Sequence, residues 1–233
     1  MKWRRNMIVI PIYAAFAILI ALITFAFGFM EGRRFLVRWP ASEALVAQTI
    51  RSGLSATHAL MNNVTLKTGN GTAQIDHILV AGTGIFVIET KHYAGWIFGD
   101  PKQSHWTQTF FKKKFRFQNP IRQNYGHVKA LQALFTLPES NFISLVVFTG
   151  RAQFKTDLGP SVLKLPQLID FLSRNRPVLF NETKMTYIVG RIEMNRLPRS
   201  TETDEYHLNS VRQRLAKGKM VRAAGFEPAT PTV

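Results

Sequence analysis

The residues with chemistry to offer are Asp76, Glu89 and Lys91. They sit in the run Gln-Ile-Asp-His-Ile-Leu-Val-Ala-Gly-Thr-Gly-Ile-Phe-Val-Ile-Glu-Thr-Lys, residues 74–91. Two neighbouring carboxylates repel unless one is protonated or a cation lies between them. Oxygen ligands of this kind suit Mg²⁺, or Mn²⁺, which leaves its other positions to water, a backbone carbonyl and substrate phosphate. Thr90 is placed to supply that carbonyl. A lysine beside such a pair lowers the cost of making hydroxide from a bound water, or stabilises charge on a phosphate under attack. Metal-assisted phosphodiester hydrolysis is the chemistry these types allow. The bland alternative is a cross-strand ion pair on a solvated sheet face. Against it, the charges interrupt faces that are otherwise Ile and Val, where burial without a purpose is costly.

The elements that must position these groups are two β-branched runs flanking Gly82-Thr83-Gly84, the signature of a β-hairpin. Side chains alternate along a strand, so Glu89 and Lys91 share a face, as do Asp76, Ile78 and Val80. A two-residue loop at Thr83-Gly84 pairs Gly82 with Ile85, sets Asp76 opposite Lys91, and makes Asp76 and Glu89 diagonal neighbours at roughly 7–8 Å.

Ile-Asp-His-Ile, then Gly-Ile-Phe-Val-Ile-Glu-Thr-Lys, Tyr93, Gly95, Trp106 and Asn119-Pro-Ile-Arg-Gln-Asn124 together resemble the nuclease-related domain (NERD) over about residues 41–150. That family is assigned to the PD-(D/E)xK, restriction-endonuclease-like fold. The resemblance implies an α/β core ordered helix, three-strand meander, helix, strand. It also implies Asp76 and Glu89 as metal ligands and Lys91 as the catalytic lysine, with Glu43 the acidic residue of the first helix and Gln123 a polar residue of the helix after the meander. Ser42 stands where the family usually has glycine. Some relatives carry a cysteine zinc module, and this chain has no Cys.

The chain has 233 residues, a formal charge of +16 and a pI near 10.6, an excess that favours polyanions such as nucleic acid or an anionic membrane. After a basic flank at residues 1–6, residues 7–30 carry no charged side chain. As a helix they span about 36 Å, enough to cross a hydrocarbon layer of roughly 30 Å. One transmembrane helix is therefore expected, followed by a basic linker at residues 31–40. Positive charges flank the run on both sides and leave its orientation balanced. A cytoplasmic soluble domain in a single-pass membrane protein is expected only because a nuclease there would meet cellular DNA or RNA.

From Ala41 to about His58 a helix is expected, with Ser42 as its cap and Ala44, Leu45, Ile50 and Leu54 inward. Leu60–Leu66 is a first strand, and Tyr93–Pro101 contains a short strand and a turn. Trp106 reads as a packing residue. The run Phe110–Phe117, taken as one strand, puts Lys112, Lys114 and Arg116 on one face and Phe111, Phe115 and Phe117 on the other. That stripe is either a phosphate contact or a solvated face guarding an edge strand. Asn119 and Pro120 open a helix to about Phe135 whose Gln123 and His127 lie one turn apart, so that both could face the hairpin's carboxylates, the alternative being ordinary polar surface residues, and Phe142–Phe148 is a buried strand. A strand at Leu163–Leu165 and helices at 166–175, 182–191 and 206–215 belong to a region, residues 151–217, that finishes or covers the domain. Residues 218–233 have no periodicity and read as a disordered tail.

Two functions compete with a membrane-anchored Mg²⁺-dependent nuclease acting on DNA, the first expectation, or RNA. One is a catalytically inactive scaffold module tethering nucleic acid or another partner at the membrane. The other is a basic face that docks on anionic lipid.

Overall fold

In a computed structural model that describes residues 41–54 and 58–223, with side chains to residue 216, three strands form an antiparallel meander. They are β1 (Ala59–Thr68), β2 (Gly71–Ala81) and β3 (Gly84–Lys91). A second sheet follows, made by β4 (Gly95–Phe98), β5 (His105–Phe110) and β6 (Lys113–Gln118). The chain then runs through helix α2 (Pro120–Gln132) and returns as β7 (Phe142–Phe148), which lies parallel to β3. Two three-residue strands, β8 (Ala152–Phe154) and β9 (Val162–Lys164), extend one sheet each. The first sheet has the order β1-β2-β3-β7-β9 and the second β6-β5-β4-β8. Helix α1 covers residues 41–53, and α3 (Leu168–Leu172), α4 (Glu182–Asn195) and α5 (Thr201–Ala223) complete the described chain.

β3 is buried along its whole length, as an apolar run covered on both faces must be. On one side Ile78, Val80, Ile85 and Val87 pack with Val128 and Leu131 of α2 and Ile188 and Ile192 of α4. On the other, Leu79, Phe86, Ile88 and Leu145 pack with Val46 and Ile50 of α1 and Leu168 of α3. A third cluster of Ile97, Trp106, Val146 and Phe148 joins the second sheet to β7. Trp106 is the packing residue expected of it, and its indole N–H donates to the Asp100 carbonyl at 2.9 Å. Trp106→Ala should cost about 3–5 kcal/mol, read as a lowered midpoint in urea unfolding with the slope unchanged.

The expected order of helix, meander, helix and strand is present, with β4–β6 spliced between β3 and α2. Several expectations are corrected. Helix α1 is already formed at Ala41, so Ser42 is not its cap; it lies buried inside the helix. Val46, Ala47 and Ile50 form the buried face of α1, while Leu45 points outward. Phe110–Phe117 is not one strand, because Phe111 takes φ +52° and turns the chain into a hairpin. Residues 218–223 belong to α5, whereas 224–233 lie outside the described residues, as does the apolar run 7–30. Among the described residues no helix is long and apolar enough to cross a membrane.

Candidate active site

The hairpin loop is Gly82-Thr83, and Gly84 already pairs with Ala81. The loop forms one residue earlier than expected: Gly84 enters the ladder at φ +141°, a conformation open to glycine, and the Gly82 carbonyl, left in the loop, accepts from the amides of Leu179 and Phe180 at 2.7 and 3.0 Å. The register therefore shifts by two. One step past the His77–Ile88 pair, Asp76 stands directly opposite Glu89 rather than Lys91. A shift of two keeps every side chain on its face. Asp76, Glu89 and Lys91 accordingly share the α2 side of the sheet.

Lys91 Nζ donates to Glu89 Oε1 at 2.5 Å and to Gln123 Oε1 at 3.1 Å. Glu89 and Lys91 are only 2% and 6% exposed, so this is a buried ion pair and not a solvated one. Burial alone would strip the proton from Lys91, but the charge and hydrogen bond of Glu89, helped by Asp76, outweigh it and raise its pKa. Lys91 is therefore a cation at neutral pH and unsuited to be a general base. The other carboxylate oxygen, Glu89 Oε2, lies 3.3 Å from His127 Nδ1 but poorly aligned with it. Both atoms are buried without a hydrogen-bond partner among the described residues. Burial holds His127 below the usual imidazole range despite the attraction of Glu89, so the ring is neutral.

Asp76 Oδ2 accepts the Thr90 amide at 2.7 Å where the ladder ends. Burial first, then the charges of Glu89 and Glu43, push the Asp76 carboxyl well above its usual range. Glu43, on α1, thus adds its charge to the same locus. The Asp76 and Glu89 carboxyls, with an orphaned buried oxygen on Glu89, form a donor pair that a divalent cation would relieve, so the residues fit a metal of the Mg²⁺ class. Among the described residues no three or more His, Asp or Glu side chains are arranged to hold an ion by themselves. The fit rests on the Asp76–Glu89 pair, with the other positions open to water and phosphate.

The segment Asn119–Asn124 explains itself residue by residue. Asn119 caps α2 by accepting the Ile121 amide, and its Nδ2 donates to the carbonyls of Asp100, Pro101 and Gln103, fixing the loop before β5. Asn124 donates to the carbonyls of Val87 and Leu145 and to Ser144 Oγ, which clamps α2 to β3 and β7. Gln123 is then delivered to Lys91.

That arrangement coincides with a family assignment. Residues 39–149 match the family model of the nuclease-related domain. These residues form a nuclease-related domain. An uncharacterized protein of Bacillus anthracis is 43% identical over 116 residues, which cover 49% of this chain and 54% of the relative. The chain thus spans about half the length of that curated relative. No solved structure matches the chain.

Within the nuclease-related domain, His77 had no expected role beyond its place in the Ile-Asp-His-Ile motif. It faces α1, bonds Asn62 Oδ1 at 2.7 Å and Thr90 Oγ1 at 3.2 Å, and burial together with the Arg51 charge lowers its pKa to about 4. This neutral ring braces Thr90, whose amide holds Asp76. Only its alternation with Asp76 in the sequence hinted that it would stand behind the site. Of the basic stripe, Lys114 and Arg116 share the outer face of β6, whereas Lys112 sits in the β5–β6 turn and leaves the stripe. Phe115 and Phe117 share the opposite face, and Phe111 is in the turn.

Proposed function

We propose that the nuclease-related domain is a divalent-metal-dependent phosphodiesterase that cleaves nucleic acid, DNA being the first expectation. The observation that carries this reading is the convergence of Asp76, partly buried, with Glu89 and Lys91, both buried, on one face, with one Glu89 oxygen left without a hydrogen bond. Asp76 and Glu89 would hold Mg²⁺ or Mn²⁺, with Glu43 contributing negative charge. Such an ion, when bound, polarises the phosphate and acidifies the attacking water. Lys91, held cationic by Glu89, stabilises the charge that builds on the phosphate under attack. Gln123 fixes the Lys91 ammonium, so its position is set before substrate arrives. His127 stays neutral behind Glu89 and adds no competing charge. The uncharged run at residues 7–30 supports a single-pass anchor, with the domain on the cytoplasmic side where nucleic acid lies.

Cleavage of single- and double-stranded DNA and RNA by the chain, with Mg²⁺ or Mn²⁺ and with excess chelator, tests the proposal. Metal-dependent products are expected from the wild type and none from Glu89→Gln. Binding without cleavage of any of these polymers would replace the enzyme with an inactive tethering module.

A further inference from the structure

The outer face of the second sheet repeats one pattern twice. Cross-strand pairing sets Trp96 against Thr109 and Thr109 against Lys114, and it sets Phe98 against Thr107 and Thr107 against Arg116. Residues opposite one another share a face. Each row therefore reads aromatic, threonine, cation across three strands. Trp96 is 49% exposed and Phe98 37%, both large for a sheet whose inner face buries Ile97 and Trp106. Lys155, just beyond β8, carries its ammonium over the Trp96 ring at 4.7 Å and adds a third cation to the face. Strands β4, β5, β6 and β8 contain no Asp or Glu.

We propose that this face is a platform for unpaired bases: single-stranded nucleic acid crosses it with bases stacked on Trp96 and Phe98 and phosphates on Lys114, Arg116 and Lys155. The two rows are two residues apart along each strand, about 7 Å. That is roughly twice the 3.4 Å rise per nucleotide of a stacked B-form strand. Adjacent bases can occupy both rings only after leaving each other, which a paired duplex resists and a single strand allows. Aromatic faces with interleaved cations are what sequence-tolerant single-strand binding needs. On this face each ring shares its row with a cation, one threonine away. In the chain, β4 starts four residues after Lys91, and β6 ends at Gln118, the residue before the Asn119 cap of the helix bearing Gln123.

The choice of polymer rests on the nuclease reading, but binding needs neither metal nor cleavage, so the two can fail separately. With chelator present, the full chain is titrated into a labelled oligothymidylate of about fifteen nucleotides and into a duplex of equal length. Trp96→Ala/Phe98→Ala should weaken single-strand binding by about tenfold to a hundredfold and change duplex binding by less than about twofold. Trp96→Leu/Phe98→Leu, which keeps apolar bulk, should lose as much affinity. Lys114→Ala/Arg116→Ala should flatten the log-log salt dependence by roughly 1.4, two phosphates' worth on a single strand. Wild type that binds no oligonucleotide, or binds the duplex better than the single strand, overturns the proposal. So does unchanged affinity in the aromatic double variants, or loss in those variants of binding to phosphatidylserine vesicles but not to the oligothymidylate. Wild type that binds the single strand but cuts no DNA or RNA, single- or double-stranded, with Mg²⁺ or Mn²⁺ would sink the nuclease reading and leave the platform standing.

Discussion

Lys91→Met lowers the rate of phosphodiester cleavage by about 10³-fold, the cost of removing a preorganised charge from a dry site, while salt-sensitive binding of the polymer persists. Methionine keeps the unbranched stem and removes only the ammonium. The comparison with Lys91→Ala separates catalysis from folding, because both variants strand Glu89 but alanine also leaves the stem's volume empty. Removing one partner of a buried pair costs about 3–5 kcal/mol, so both should melt earlier, alanine the more so. Single-turnover cleavage measured well below each melting temperature isolates the chemical step. Cleavage by Lys91→Met within a few-fold of wild type would remove Lys91 from the mechanism.

Asp76→Asn should have the opposite effect on the metal-free fold. The Asp76 carboxyl is pushed above its usual range by burial and by the charges of Glu89 and Glu43. A carboxyl whose folded pKa exceeds its unfolded value, about 3.9, binds its proton more tightly when folded. Its ionisation therefore costs stability as pH rises from the unfolded value to the folded one. Asparagine has no charge to bury, and its side-chain oxygen can still accept the Thr90 amide. With chelator at pH 7 the variant should melt higher than wild type, and the gain should vanish as pH falls toward about 4. Mg²⁺ should raise the wild-type melting temperature and leave the variant unmoved, since loss of a ligand should weaken metal affinity by at least about 100-fold, the upper cost of losing a mere supporting partner. A variant that gains no stability without metal, or keeps the Mg²⁺ response, would separate Asp76 from the cation site.

The hairpin shows what the sequence could and could not specify. Alternation fixed the face shared by Asp76, Glu89 and Lys91, because that depends only on the period of two. The register depended on which glycine closed the loop, and two glycines flanking Thr83 left both closures open; the loop observed also bonds Leu179 and Phe180, almost a hundred positions away, through the Gly82 carbonyl. The one-turn spacing of Gln123 and His127 allowed either a pair facing the hairpin's carboxylates or an ordinary polar surface, and Asn124, by clamping α2 to β3 and β7, brings Gln123 to Lys91 and His127 to 3.3 Å from Glu89. The split of residues 110–117 into two strands turned on one left-handed Phe111, a conformation that no aromatic side chain advertises. Gly95 is the counterexample: its φ of +82° and the collision that a side chain there would make with the Thr109 carbonyl explain a glycine that the motif carries.

The splice of β4–β6 between β3 and α2 means that both covalent leads into this insert come from parts bearing the candidate chemistry: Lys91 at one, Gln123 at the other. The insert is thus bracketed in the chain by the two partners of a single hydrogen bond. Exchanging the insert for another fold of equal span would change what is gripped while leaving Asp76, Glu89 and their supports untouched, much as a tool accepts a new head on the same handle.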